Sequence, residues 1–307
     1  MNVLAVDLGG TKVAVAFVTS EGKILEKVQQ PTDLSGPEAV AIQIVQMVHG
    51  MPEYGPIEAV GACVPAALGG RDSDHVIWAP NLPEWRDVPF RELLEKHFKV
   101  PIFLEFDGHS ATLGEWWVGA GKSYSHIANI IIGTGIGGGF IVDGKLWLGR
   151  NRLAGAVGWF PLTGPDGVDH WENLASGPAI VRRVRYLLAE SQPSRLNADA
   201  MTAKDVFSAA REGDPLATQA IQEAAKAIGQ GVANVISLIN PEIVILGGSI
   251  GQQSDLLLKT VHETVKHWAQ PISAHDVPIV SSTIGEEAGL LGAAYAAYQR
   301  LIPEGEI

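Results

Sequence analysis

The sequence predicts an α/β protein of two lobes, the second laid out on the plan of the first. Three observations carry the prediction. The chain has 307 residues, enough to bury two cores. Residues 3–28 and residues 127–147 share one order of elements: strand, glycine and threonine turn, strand, short turn, strand. Beyond Trp171 the chain becomes largely helical around a short apolar strand at 243–246.

Residues 3–8 form an apolar run that ends in an acid and glycines. Residues 13–18 are β-branched and apolar, and Ser20-Glu21-Gly22-Lys23 turns the chain into a third strand at 24–28. Three strands joined by tight turns pair antiparallel and are not a βαβ unit. Val40, Ile44, Val45 and Val48 place an amphipathic helix over 38–49, and an apolar strand follows at 57–64. Residues 65–90 carry several prolines and glycines without a period, and read as one long loop. A helix at 90–97, a strand at 102–106 ending at Asp107 and a helix at 110–118 come next. The second lobe opens with a strand at 127–132 and a hairpin whose strands, 139–142 and 145–147, turn at Asp143-Gly144. Apolar residues at 221, 225, 228, 232, 235 and 239 mark a long helix. A helix near 256–268, a strand at 277–281 and a small-residue helix at 288–298 close the chain. The predicted boundaries are 1–117 with 290–307 for the first lobe and 118–289 for the second.

Composition narrows the function classes. The formal charge is −12, from 22 basic and 34 acidic residues, which argues against nucleic-acid and anionic-membrane partners. Cys63 is the single cysteine, so neither an internal disulfide nor a thiolate zinc site is available. The start lacks a secretory signal pattern and no apolar stretch has membrane-spanning length, so a reduced, cytoplasmic compartment is expected.

The chemistry lies in two glycine turns. The first is Asp7-Leu8-Gly9-Gly10-Thr11-Lys12, the second Gly133-Thr134-Gly135-Ile136-Gly137-Gly138-Gly139. Glycines let backbone N–H groups approach a phosphate, and Thr11 and Thr134 add hydroxyls. Asp7, at a strand end, is placed to hold Mg2+, directly or through water. Neither turn is a Walker loop or a dinucleotide fingerprint, because a strand follows where those motifs need a helix. One such turn alone is accounted for by a tight hairpin. Two, each with threonine and each between strands, point to a phosphate-rich ligand.

Both turns, together with Asn240-Pro241-Glu242-Ile243-Val244-Ile245-Leu246-Gly247-Gly248, Ala111-Thr112-Leu113-Gly114-Glu115, Ala175-Ser176-Gly177-Pro178-Ala179 and Gly289-Leu290-Leu291-Gly292-Ala293-Ala294, resemble the ROK family of bacterial sugar kinases and repressors. The resemblance runs in order from residue 3 to about 298. It implies the actin-like ATPase (ribonuclease H-like) fold, two duplicated lobes around a central cleft. It implies MgATP held by Gly9, Gly10, Thr11 and Lys12 and by Gly133, Thr134, Gly135 and Gly137, with adenosine near Gly247, Gly248 and on to Gly251, and near residues 286–292. It implies Asp107 as catalytic base, a sugar acceptor and a homodimer. The family's repressors carry an N-terminal helix-turn-helix, whereas this sequence starts at the first strand.

The acceptor positions depart from the family pattern. Phe106 stands where the family has asparagine before the aspartate, and His109 where it has a second asparagine. The family's Glu-x-Gly-His reads Ala156-Val157-Gly158-Trp159, and its cysteine-rich zinc segment is replaced by residues 163–170. No zinc site is expected, and His170 reads as a plain loop histidine. Asn81 and Glu172 keep family positions, so the acceptor-binding set is Asn81, Phe106, Asp107, Trp159 and Glu172. Losing a hydrogen-bonding carboxylate costs a buried sugar hydroxyl about 1–3 kcal/mol. Aromatic rings can instead stack on a sugar face or enclose an apolar substituent. The expectation is an ATP-dependent carbohydrate kinase whose acceptor differs from free glucose: a modified sugar, a glycoside or a cyclitol. Two plainer alternatives stand beside it. Phe106 and Trp159 pack the loop that zinc would otherwise hold, or the chain is a catalytically silent sensor with the ATP fold. The retained Asp7, Asp107 and both glycine turns argue against the sensor.

Overall fold

The computed structural model describes residues 2–69, 75–79, 81–190, 194–197 and 200–301. Residues 70–74 and 80 of the expected long loop, and 302–307 of the first predicted lobe, lie outside the described residues. The chain divides into two compact units: residues 1–123, 146–154 and 286–307, and residues 124–145 and 155–285.

In the first unit the elements are β1 (Asn2–Leu8), β2 (Lys12–Thr19), β3 (Ile24–Pro31), α1 (Pro37–His49), β4 (Ala59–Val64), β5 (Ala67–Gly69), β6 (His75–Trp78), β7 (Arg86–Val88), α2 (Phe90–Glu95), β8 (Ile102–Phe106) and α3 (Asp107–Trp117). The second unit contains β9 (Ile127–Ile132), β10 (Ile136–Val142), β11 (Lys145–Leu146, whose last residue belongs to the first unit), β12 (Pro161–Gly164), β13 (Gly167–His170), α4 (Trp171–Ala175), α5 (Gly177–Ala189), α6 (Ala203–Arg211), α7 (Pro215–Ile239), β14 (Ile243–Gly247), α8 (Gly248–Gly251), α9 (Ser254–Trp268) and β15 (Ile279–Ser281). The last helix, α10 (Ala288–Leu301), returns to the first unit.

The duplication is visible in the sheets. The first unit orders its strands β3-β2-β1-β4-β8, the second β11-β10-β9-β14-β15. In each, three antiparallel strands are followed by parallel pairings, β1 with β4 and β4 with β8, β9 with β14 and β14 with β15. This repeated order is that of the actin-like fold. The chemistry of the sequence explains the layering. Val3–Val6 and Ala59–Val64 are buried throughout, as central strands covered on both faces are. β3, at the edge, carries Glu26, Lys27, Gln29 and Gln30 and ends at Pro31, which blunts further pairing.

Each unit has its own core. Leu4, Val6, Val15, Ile44, Phe90 and Leu104 form the first, and Ile130, Phe140, Trp171, Val184, Ile228 and Leu246 the second. Burying each such side chain contributes about 1.5–3 kcal/mol. α7 shows why its sequence makes one long helix. Asp214 caps its start by accepting from Ala217 N at 3.0 Å, Pro215 fits the first turn, and Asn240 ends it in the left-handed region.

Two expectations are corrected. Much of the stretch from 65 to 90 is not loop: β5, β6 and β7 form a small antiparallel sheet that buries Leu68, Val76 and Val88. Strands of three or four residues are too short to show a period. The replacement for the zinc segment is likewise a hairpin, β12 against β13, closed at Gly164 and Gly167. His170 ends that hairpin and is no loop residue.

Candidate active site

The first half-site is built at the C-terminal ends of parallel strands, where open α/β sheets place ligands. β1 brings Asp7 level with Cys63 of β4, and Cys63 is level with Glu105 of β8. β8 then passes directly into α3, so Asp107 stands one strand beyond Cys63 along the same edge. α3 starts at Asp107, three residues before the expected position. The N-cap is Phe106, with no side-chain cap, and the Asp107 carboxylate accepts from its neighbour Gly108 N at 2.7 Å. That contact meets one first-turn N–H, so a part in starting the helix stands beside the catalytic one.

Electrostatics mark these carboxyls as unusual. Solvent reaches Asp107, yet surrounding protein pushes its carboxyl up to about 6. Burial is the main cause; Asp7 adds to it, and the Gly108 N–H and the charge of His109 oppose it. Asp7 is also raised, by burial, against a hydrogen bond from Cys63 and the charge of Lys12. Cys63 is buried, and its thiol is held well above the usual range by burial and by the two aspartates. Sequence reasoning saw Cys63 only as a lone cysteine. Its position between two acids follows from the strand register, which the sequence does not print.

The first glycine turn closes with Gly9 N donating to Lys12 O at 2.9 Å. A Cβ on Gly10 would lie 2.7 Å from the Asn81 carbonyl oxygen, so Gly10 lets the Asn81 loop reach the turn. Thr11 is exposed, and Lys12 pairs with Glu286 at 2.6 Å, both largely in solvent. Such a pair contributes about 0–1 kcal/mol, which leaves Lys12 able to exchange partners. Gly289, at the start of α10, faces Asp7: a Cβ there would sit 3.1 Å from a carboxylate oxygen. Phe106 is half-buried with its ring edge-on to His109 at 5.3 Å. His109 is fully buried, with its ring nitrogens against Glu105 and the Ala154 carbonyl, and so cannot take the part of an acceptor-binding asparagine.

The second half-site belongs to the second unit. Its glycine turn joins β9 to β10, and Gly133 N donates to Gly135 O at 2.9 Å. Gly247 pairs with Ile131 across parallel strands, which brings Gly247 and Gly248 beside the turn. Gly248 has φ +75°, and a Cβ on it would overlap the Ile132 carbonyl. Thr134 is exposed, and a Cβ on Gly137 would meet nothing within 4 Å. The β9 counterpart of the β1 end is apolar, Ile131 and Ile132, so only the first copy carries the acid. Glu172, in α4, sets a carboxylate oxygen against the turn and accepts from Ile136 N at 3.3 Å. Gly158 lies beside the same oxygen. Trp159 is 63% exposed and its ring lies 5.0 Å from that of His170. Trp159 thus fills no core: one side of its ring lies against the hairpin that replaces the zinc segment, and the rest is open to solvent. Among the described residues no group of three or more His, Cys, Asp or Glu is placed to hold a metal, and no helix is long and apolar enough to cross a membrane.

A family profile, that of the ROK family, matches residues 3–300. The chain belongs to the ROK family. A glucokinase of Thermotoga maritima is 33% identical over 98% of this chain and 98% of that protein. The crystal structure of a ROK family glucokinase from Streptomyces griseus in complex with glucose and AMPPNP superposes with TM-score 0.84, at 30% identity, over 97% of this chain and all of that one. A xylose repressor of Caldicellulosiruptor bescii is 30% identical over 77% of this chain and 61% of the repressor. The fold is the actin-like ATPase fold of these sugar-kinase structures.

Proposed function

We propose that this ROK protein transfers a phosphoryl group from ATP to a hydroxyl of a sugar or sugar-like acceptor, with Asp107 as the base. The observation that carries the reading is the pair of raised carboxyls, Asp7 and Asp107, set at one edge of the first sheet beside the Gly9–Gly10 turn. The glucokinase relatives, and the AMPPNP and glucose bound by the Streptomyces griseus protein, support the donor and the acceptor class.

The donor phosphates are assigned to Gly9, Gly10, Thr11 and Lys12 and to Gly133, Thr134, Gly135 and Gly137, with the nucleoside at Gly247 and Gly248. Backbone N–H groups at such turns stabilise charge without having to reorient. Asp7 is a hard oxygen donor crowded enough to favour a neighbouring cation, which suits Mg2+. When bound, that ion would neutralise phosphate charge. Asp107 accepts a hydrogen bond from the acceptor hydroxyl, orients its oxygen and takes its proton late, as a loose transition state allows. A raised carboxyl is the stronger base, but only once ionised. With Asp107 at about 6, kcat/KM is expected to fall about tenfold per pH unit below that value, as the protonated form accumulates. A flat profile from pH 7 to 5 sinks the assignment.

On the acceptor side, Asn81 and Glu172 supply polar contacts and Trp159 an open aromatic face. This favours a modified sugar, a glycoside or a cyclitol over free glucose. Trp159→Ala is expected to raise the acceptor KM by about five- to tenfold with little change in kcat. The deciding measurement is ADP release from MgATP across sugars, amino sugars, glycosides and cyclitols. Acceptor-dependent turnover supports the kinase. Saturation by free glucose at ordinary millimolar levels removes the altered acceptor, and no turnover with any acceptor favours a sensor.

A further inference from the structure

Asp107 lies between two residues that are both out of solvent. Glu105 is 2% exposed and His109 0% exposed, one on each side of it in the chain. Their side chains meet, His109 Nδ1 lying 3.2 Å from Glu105 Oε1. The other ring nitrogen, Nε2, lies 2.9 Å from the Ala154 carbonyl oxygen.

The charge on Glu105 decides which atoms donate. Its Oε2 accepts from Arg152 at 2.7 Å and from Arg300 at 3.3 Å, and its Oε1 from Phe106 N at 3.2 Å. Burial alone would push this carboxyl up, but the His109 hydrogen bond and the charges of Arg152 and Arg300 outweigh it and hold it low. Glu105 is thus a carboxylate and only accepts, and a backbone carbonyl only accepts. A neutral imidazole would turn a lone pair toward one of these oxygens in a buried position. A ring with a proton on each nitrogen would satisfy both acceptors.

Residues 146–154 make this arrangement more than local. They belong to the first unit, although the chain on either side of them, 124–145 and 155–285, belongs to the second. Two of their fastenings end on the residues that flank Asp107: Arg152 on Glu105 and Ala154 on His109. Arg152 holds φ +54°, a left-handed backbone that a non-glycine residue keeps only when its surroundings impose it.

We propose that His109 is a positioning residue for the base: as an imidazolium donating to Glu105 and to Ala154, it locks the 146–154 segment onto the strand–helix junction that carries Asp107. The inference rests on the reading of Asp107 as the base of a kinase. It gives His109 a task different from contacting the acceptor.

Three measurements test it on the full-length protein. With 15N-labelled histidine, both His109 nitrogens are expected in the protonated range, and Glu105→Gln is expected to return one of them to the unprotonated range. In His109→Gln, amide exchange across 148–155 is expected to quicken about tenfold or more. The same variant is expected to lose about tenfold in kcat while the acceptor KM stays within about twofold, because positioning is lost and binding is not. Arg152→Lys covers the case in which His109→Gln does not fold: exchange rises and the ring keeps both protons. A bare nitrogen on His109 in the unaltered protein overturns the proposal, as does unchanged exchange in both variants or an unchanged kcat in His109→Gln. Failure of the kinase reading shows itself elsewhere, as no acceptor-dependent ADP release from the unaltered protein, and the spectra and exchange rates then still decide the role of His109.

Discussion

Asp107→Asn is expected to lower kcat by about a thousandfold, to leave ATP binding intact and to make the protein more stable. The first two effects separate the base from the phosphate turns. Asparagine can still hold the acceptor oxygen in place, but it cannot take its proton, and the glycines of both turns are untouched. The third effect follows from the raised carboxyl. Between the ordinary carboxyl value of 3.8 and the folded value of about 6, the folded protein binds more protons than the unfolded chain. Stability therefore falls as pH rises through that window and stays lowered above it. A shift of two units corresponds to about 3 kcal/mol for a fully enclosed group. Solvent reaches Asp107 and screens its charge, so a gain of about 1 kcal/mol at neutral pH is the expected figure. The gain should shrink toward pH 4, where wild-type Asp107 is itself neutral. Thermal unfolding of both proteins at pH 4.5 and 7.5, beside ADP release and nucleotide titration, checks all three effects. A variant as active as wild type removes Asp107 from the mechanism. A variant that is inactive but less stable at both pH values shows that the carboxylate is structural.

The sequence exposed the donor half of this chemistry better than the acceptor half, for a physical reason. Phosphate turns are local. Gly9, Gly10, Gly133 and Gly135 announce a backbone that approaches an anion, and Asp7 stands two residues away from the first of them. The repeated strand order was equally open to reading, since each meander lies within about thirty residues. What stayed hidden depends on contacts between distant segments. Cys63 becomes the neighbour of Asp7 only through the β1–β4 register. Glu105 acquires Arg152 and Arg300 from chain 47 and 195 residues away. The small sheet within 65–90 was missed because its strands are too short to alternate visibly. His109 shows the converse: its place in the motif suggested an acceptor contact, and its burial shows a structural commitment. The exposure of Trp159 also needed the fold, because an aromatic residue in a glycine-rich segment reads equally as packing or as platform.

Gly292→Ala is expected to cost about 3 kcal/mol or more in stability, the largest loss from any single methyl group added to the first unit. α3 and α10 cross so closely that a Cβ on Gly292 would overlap the carbonyl oxygen of Ser110. Gly114 meets the Ala288 carbonyl in the same way, and Gly61 of β4 meets that of Ala293. The opposing atoms are backbone, so no rotamer change relieves the clash, and one helix must move. That movement reaches the chemistry. α3 carries Asp107 in its first turn, and α10 begins beside Asp7 at Gly289. The close crossing therefore fixes the spacing of the two carboxyls, and protein that still folds should also lose kcat. Gly289→Ala supplies the contrast. Its Cβ would stand 3.1 Å from an Asp7 oxygen, the tip of a side chain that can turn aside, so stability should change by no more than about 1 kcal/mol. The loss should appear instead as a higher magnesium requirement, because Asp7 is displaced and the fold is not. Denaturant unfolding and magnesium titrations of the two variants distinguish the cases. Equal stability in Gly292→Ala and wild type would mean that α3 and α10 are not held this close, and the geometry assigned to Asp7 and Asp107 would go with it.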